Sequence, residues 1–349
     1  MKKVRLFPLV ILSVCLLVSV SEAAITWTTQ AAMPTARGQL TVVAGNNGLI
    51  YAIGGYDNVG EMTTVEAYDP ASNTWSTKAS LPNATRGAAA AKGLDGKIYV
   101  FGGYNNSIGN SLNYTQIYDP VSDTWSAGAN MPTDEWEASA AAGNNGRIYV
   151  FGGETSNTLV QIYNPASNTW SSGTAMPTGR IGSGAVTING LIYVIGGMYN
   201  GNVPLGTVEI YNPVSNTWST GASMPTPRFE FGIAAGPGTF YAVGGNDGGF
   251  LATNEQGTVT GSRIYVLGGS TSYSNQDPPY MNTSESYDPV SNTWSAETNL
   301  PTARRELGAA FVQAAASAVP AMDGIGLVLF MIAAGMASLY IMRRRNVKG

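Results

Sequence analysis

The sequence predicts an all-β protein assembled from copies of one small sheet. Three observations carry the prediction: a recurring β-branched and aromatic run closed by two glycines, a recurring turn that ends in tryptophan, and 43 glycines in 349 residues, well above the roughly 7% of ordinary chains. The first unit reads Ile50-Tyr51-Ala52-Ile53-Gly54-Gly55. It recurs as IYVFGG at 98–103 and 148–153, IYVIGG at 192–197, FYAVGG at 240–245 and IYVLGG at 264–269. Such side chains fit a pleated surface, and glycine ends the run because it takes positive φ freely. The second unit is YDPASNTW at 68–75, YDPVSDTW at 118–125, YNPASNTW at 163–170, YNPVSNTW at 211–218 and YDPVSNTW at 287–294. Its Asp or Asn closes a turn through its own side chain. The slot holds Asp69, Asp119 and Asp288 but Asn164 and Asn212. The turn therefore needs the oxygen and not the charge, which argues against catalytic carboxylates there. A third unit is Met-Pro or Leu-Pro, beginning at Met33, Leu81, Met131, Met176, Met224 and Leu300.

The second glycines fall at 55, 103, 153, 197, 245 and 269, with spacings of 48, 50, 44, 48 and 24. A period of 45–50 residues with a glycine pair, a tyrosine and a tryptophan resembles the kelch repeat. The resemblance covers about residues 25–313. It implies a β-propeller with one four-stranded blade per copy, in which Trp75, Trp125, Trp170, Trp218 and Trp294 pack between blades. The fifth period is irregular: no tryptophan unit follows Gly245, and Asn246 to Ser262 is polar and glycine-rich. Ile25 to Pro34 reads as an outer strand without the rest of its blade, and Leu307 to Val312 as an inner strand without its own. Joining them would close the ring. Six glycine pairs give six blades, one irregular; seven positions with two incomplete is the alternative.

Both ends carry addresses. Lys2, Lys3 and Arg5, an apolar run from Leu6 to Val20, and Ser21-Glu22-Ala23 predict a signal peptide over 1–23. The only cysteine is Cys15 and there is no histidine, so the exported chain would have no disulfide. Gly324–Met342 is an uncharged apolar stretch of 19 residues followed by Arg343, Arg344, Arg345 and Lys348. As a helix it would span about 28 Å, which suits a bilayer, and the basic flank would stay cytoplasmic. The preceding Val319-Pro320-Ala321-Met322-Asp323 resembles bacterial exosortase-type (PEP-CTERM-like) sorting signals. The expected plan is a signal peptide (1–23), a kelch propeller (24–313), a linker (314–323), a transmembrane or sorting helix (324–342) and a basic tail (343–349). The propeller would lie outside the cytoplasm, anchored in the membrane or sorted to the cell surface. A net charge of -4 gives no reason to expect nucleic acid.

The chemistry open to the chain is narrow. Galactose oxidase uses a kelch-like propeller, but its copper needs histidines, which this chain lacks, and a cysteine, which it would lack once the signal peptide is removed. Zinc sites and histidine-dependent nucleophiles fall for the same reason. The sialidase Asp-box differs as well, because its Asp lies five residues before the Trp, whereas Asp69 precedes Trp75 by six. No catalytic residue, cofactor or metal is assigned. The expected function is non-catalytic recognition of a protein, peptide or glycan. The alternative is a histidine-independent glycosidase or sugar epimerase working through carboxylates and arginine.

Comparing the repeats locates the candidate ligand face. After each Met/Leu-Pro the chain reads TARGQ (35–39), NATRG (83–87), TDEWE (133–137), TGRIG (178–182), TPRFE (226–230) and TARRE (302–306). The kelch resemblance places these loops on the face where kelch proteins bind ligands, together with the loops after the glycine pairs. Arg37, Arg180, Arg228 and Arg304 share one slot, Arg86 stands one place later, and Glu135 reverses the charge beside Trp136 and Glu137. With Phe229, and with Tyr56, Tyr104 and Glu154 from the second loop set, these are the candidate binding residues. They would form a ring of cations interrupted by one acidic-aromatic patch. Each arginine reads equally well as a tether to a neighbouring loop.

Overall fold

The computed structural model describes residues 26–312 apart from 58, 156, 200–202, 244–253, 268–280, 289 and 305. The expected signal peptide and C-terminal span lie outside the described residues. Within them there is no helix.

The Ile-Tyr-Val-type runs form strands whose residues are buried on both faces, as Ile50–Ile53 shows. A strand buried that way must sit mid-sheet with other sheets stacked against it. The chain opens with β1 (Thr26–Thr29). The first sheet then comprises β2 (Thr41–Ala44), β3 (Ile50–Ile53), β4 (Val65–Asp69) and β5 (Thr74–Thr77). The second has β6 (Ala89–Lys92), β7 (Ile98–Phe101), a small projecting hairpin of β8 (Tyr104–Asn105) and β9 (Asn110–Ser111), then β10 (Thr115–Asp119) and β11 (Thr124–Ala127). The third has β12 (Ser139–Ala142), β13 (Ile148–Phe151), β14 (Val160–Asn164) and β15 (Thr169–Ser172). The fourth has β16 (Gly184–Ile188), β17 (Leu191–Ile195), the hairpin β18 (Met198–Tyr199) and β19 (Val203–Pro204), then β20 (Val208–Asn212) and β21 (Thr217–Gly221). All pairings are antiparallel, and each sheet meanders from its inner strand to its outer one.

The fifth sheet is larger. It contains β22 (Gly232–Val243), β23 (Asn254–Leu267), β24 (Ser284–Asp288), β25 (Thr293–Glu297) and β26 (Gly308–Val312), in the order β25-β24-β23-β22-β26. β1 pairs with the first part of β23, Thr26 opposite Thr258, and β26 pairs with the second part of β22, Phe240 opposite Phe311. Both ends of the repeat region therefore enter one sheet. The sequence treats Asn246–Ser262 as an irregular remnant of a blade. Instead residues 254–262 belong to β23, paired with β22 across a register shift between Gly236 and Gly238. The missing tryptophan unit is replaced by one long strand shared between two sets of partners.

The core lies between neighbouring sheets and not within any one of them. Tyr149, Phe151 and Ile162 of the third sheet pack with Ile192, Val194 and Tyr211 of the fourth. Val43, Tyr51 and Val65 of the first pack with Ile98, Val100 and Tyr118 of the second. Each such side chain contributes roughly 1.5–3 kcal/mol on burial.

The tryptophans complete these interfaces. Trp170 lies T-shaped against Phe101 of the preceding sheet, centroids 5.3 Å apart, and tilts against Tyr163 on its own sheet at 5.0 Å. Its Nε1 donates to the Ala129 carbonyl at 2.8 Å. Trp75, Trp125, Trp218 and Trp294 donate likewise to Ala31, Ala79, Thr174 and Ala222. Asn168 holds left-handed φ 53° and accepts from both the Tyr163 hydroxyl and the Ala129 amide. Each repeat is thus fastened to its predecessor by an indole and an asparagine side chain, with the Asp123 carboxylate in the asparagine's place in the second repeat. The Asp/Asn turn closes as expected, with the Val121 amide donating to Asp119 Oδ1 and the Ala166 amide to Asn164 Oδ1.

Trp170→Ala is expected to lower unfolding free energy by about 2–4 kcal/mol, because a half-buried aromatic and its hydrogen bond are lost together. Asp119→Asn should change it by less than about 0.5 kcal/mol. Denaturant melts of the two variants distinguish them, and a large loss for Asp119→Asn would show that the charge itself matters.

Candidate functional site

Six loops precede the inner strands β2, β6, β12, β16, β22 and β26, and they meet around a central channel. The fifth residue of each, Gln39, Gly87, Glu137, Gly182, Glu230 and Glu306, is left-handed with φ between 50° and 60°. That geometry turns each amide onto the preceding loop. Gly87 N donates to Gln39 O at 2.9 Å, Glu137 to Gly87 at 2.8 Å, Gly182 to Glu137 at 2.8 Å and Glu230 to Gly182 at 2.9 Å. Glu306 donates to Glu230 at 2.7 Å, and Gln39 to Glu306 at 3.2 Å. The bonds close on themselves. Glycine adopts this conformation readily, whereas a side chain there costs roughly 1 kcal/mol. Gln39, Glu137, Glu230 and Glu306 carry that cost where Gly87 and Gly182 avoid it. With these two glycines they line a cavity of about 110 Å³ at the channel mouth.

The arginine slot lies one layer below, and the expectation of a solvent-facing cationic ring is corrected here. Arg37, Arg180, Arg228 and Arg304 are each 0% exposed. Arg37 Nη1 meets Glu66 Oε2 at 2.6 Å, Arg180 Nη2 meets Glu209 Oε2 at 2.6 Å, and Arg228 Nη2 meets Glu285 Oε2 at 2.8 Å. Each carboxylate stands on the third strand of the sheet that its arginine's loop leads into. Arg180 also donates to the Gly196 carbonyl. Burial presses these three guanidinium groups toward lower pKa, and their glutamates act against it. Where the slot is not arginine the partner is not glutamate. Thr85 accompanies Gln116, which holds Asn83; Glu135 accompanies Gln161, which holds Thr133. Glu135, 1% exposed, accepts from the Thr155 amide at 3.0 Å. Phe229, also 0% exposed, is no surface anchor either. These residues shape the loops from within.

The other sequence-predicted residues do converge. Arg86, displaced one place along its loop, reaches the surface. Its guanidinium lies 4.8 Å from the Tyr56 ring centroid, 5.2 Å from Tyr104 and 5.8 Å from Trp136. Tyr104 and Trp136 touch each other, centroids 5.4 Å apart, and Glu61 lies 3.4 Å from Arg86 Nε. This aromatic cluster adjoins the acidic mouth. Burial pushes Glu137 up from 4.5 to about 7, and the charges of Glu154 and Glu306 add to it. A side-chain hydrogen bond with Glu230 and the charge of Arg86 pull the other way. Two carboxyl groups that hydrogen-bond each other share a proton between them. Gln39, Glu230 and Glu306 were missing from the candidate residues. The signal was the alternation of Glu or Gln with Gly at the fifth loop position, because glycine there marks a left-handed residue. Among the described residues no group of histidine, cysteine or carboxylate side chains could hold a metal ion.

The repeat motif matches the Kelch motif family profile at residues 39–82, 85–132, 138–177, 179–225 and 257–301. These stretches make up more than half of the chain, and the protein belongs to the kelch-repeat β-propeller family. A solved structure described as "Structure of YjhT" superposes with a TM-score of 0.63, at 18% identity, covering 80% of this chain and 89% of that one. At that identity the likeness concerns the fold. No curated protein matches the sequence.

Two outcomes follow from this geometry. Arg180→Thr should cost about 3–5 kcal/mol, since it strands Glu209 in the interior. Adding Glu209→Gln, the arrangement that the second repeat already uses, should recover at least half, and a double variant as unstable as the single would refute the pairing rule. For Glu137 the ionised form is the unfavourable one. Its contribution to stability is therefore present below about pH 4.5 and is lost as pH rises through about 7. Glu137→Gln should stabilise the protein at pH 8 by about 1–2 kcal/mol, less than the full shift implies because the side chain is partly open to solvent. The difference should vanish near pH 4, and a difference independent of pH across melts would contradict the assignment.

Proposed function

We propose that this protein is a non-catalytic recognition module, exported and held outside the cytoplasm by its C-terminal segment. It binds a protein, peptide or glycan through the loop face around the channel mouth. The observation that carries this reading is the cluster of Arg86, Tyr56, Tyr104 and Trp136 beside Glu137 and Glu154. Arginine and aromatic side chains combine apolar contact with directed hydrogen bonding, the mixture found at energetic centres of interfaces. The scaffold does not require it. The fourth repeat places Ile181 where Trp136 stands and folds with the same strand register.

The same reading takes the composite fifth sheet as two blades joined by long strands, which gives a six-bladed ring. In its support, β26 lies against β2 and six loops share the hydrogen-bonded mouth. The register also sets Glu255 opposite Ala242, as Glu66 stands opposite Ala52. The N-terminal apolar leader and the Arg343–Arg345 cluster support the orientation.

A carbohydrate-active enzyme is the second reading. It is favoured by one observation: Glu137 and Glu230 hydrogen-bond each other at the mouth, and a carboxyl group raised to about 7 suits general acid-base work. Screening the detergent-solubilised full chain on glycan and peptide arrays tests both. For a ligand so found, Trp136→Ala and Tyr104→Ala should each weaken binding by about 1–3 kcal/mol, with the unfolding temperature nearly unchanged. Parent-like affinity in both would rule out this face. Turnover of a bound glycan that Glu137→Gln abolishes, with binding retained, would establish the enzyme instead.

A further inference from the structure

The central channel runs from the carboxylate mouth between the edges of the inner strands and encloses about 400 Å³. Its walls are mostly alanine, glycine, valine, serine and threonine. Among the described residues one charged side chain lines it, that of Lys92 at the end of β6. Register identifies its counterparts. Lys92 stands opposite Ile98 as Ala44 stands opposite Ile50, Ala142 opposite Ile148 and Thr187 opposite Ile192. Three sibling strands form the same sheet edge with alanine or threonine, so the fold does not call for a lysine at this level.

The lysine is also poorly compensated. Its ammonium makes no hydrogen bond or ion pair with the described residues, and among these the channel lining contains no carboxylate. Burial lowers its pKa, with no neighbouring charge acting on it. Lys92 is half-buried, so its ammonium is only partly hydrated beside apolar walls, and an anion brought to it offsets the lost hydration. The acidic groups at the mouth do not serve. Glu137, Glu230 and Glu306 precede their inner strands, whereas Lys92 ends one. The five residues from Gly87 to Lys92 would put about 16 Å between the two levels.

We propose that the channel is a binding site for a small organic monocarboxylate, whose carboxylate pairs with the Lys92 ammonium while a short apolar body packs against Ala44, Ala142 and the neighbouring walls. The ligand enters from the Lys92 end, because the three glutamates repel anions at the other. This site is separate from the loop-face cluster and stands or falls without it.

The test uses the full chain in detergent, with butyrate as probe and with butyramide, butylammonium and chloride as controls, followed by calorimetry and thermal melts. Butyrate is expected to bind with a dissociation constant of about 0.1–1 mM, a range open to a ligand of its size. The three controls should bind at least about tenfold more weakly. Lys92→Ala, which installs the residue of two sibling strands, should fold with an unchanged or higher melting temperature and lose butyrate binding. Lys92→Arg should keep it. In the parent, affinity should decline with rising pH below the ordinary lysine value of 10.5, because the charged ammonium is lost early. Equal binding of butyramide would overturn the proposal, as would parent-like affinity in Lys92→Ala. Chloride binding as tightly as butyrate would reduce the site to a simple anion site and overturn the carboxylate assignment. Should Lys92→Ala fail to fold, the pH profile and the neutral control decide alone.

Discussion

No sheet of this molecule can bury its own faces. A four-stranded antiparallel ribbon has two apolar surfaces, and each is covered only by the next copy in the ring. The structure therefore rests on sheet-to-sheet stacking, and the fastening between Trp170 Nε1 and the Ala129 carbonyl is its local form. Everything at the loop face inherits its position from that stacking, since each loop spans two sheets. The composite fifth sheet expresses the same constraint. A stack without covered ends must close, and here closure is made by long strands that pair with both termini of the repeat region.

The repeats provide internal controls that a single sequence ordinarily lacks. Six copies of one loop show what the scaffold tolerates, so a departure at one copy is informative. The arginine slot illustrates this. Three buried arginines each meet a glutamate, the two copies without arginine carry glutamine in the glutamate's place, and the buried Glu135 of one of them is held by a backbone amide instead. The ionic layer is thus a matched set whose members change together.

Much of the fold was legible in the sequence, because its motifs act locally. The Ile-Tyr-Val strand, the Asp-Pro turn and the tryptophan recur at fixed offsets, and each needs only its neighbours to be read. The site was legible in part. Tyr56, Arg86, Tyr104 and Trp136 were visible as deviations between repeats. Arg37, Arg180, Arg228 and Arg304 looked the same on paper but are interior. What separates Arg86 from them is one position along the loop, and the carboxylate that buries Arg37 lies 29 residues away on another strand. Of the mouth residues Glu137 was a candidate, whereas Gln39, Glu230 and Glu306 were hidden for a different reason: a left-handed glutamate has no signature of its own. Strand pairing in the fifth sheet could not be read either, because Gly232–Val243 satisfies two partner sets with one continuous run.

The hydrogen-bonded mouth has an electrical consequence. Its six peptide links run head to tail around a circle, so the parts of their dipoles that lie in the plane of the ring cancel. A helix terminus adds up its peptide dipoles end to end and presents a fixed partial charge; a closed collar has no such end. The potential at the opening is therefore set chiefly by side chains, those at the six equivalent backbone positions and neighbours such as Arg86 and Glu154. One collar can carry an acidic, neutral or basic entrance without any change of main-chain path, and in this protein four of the six positions carry side chains.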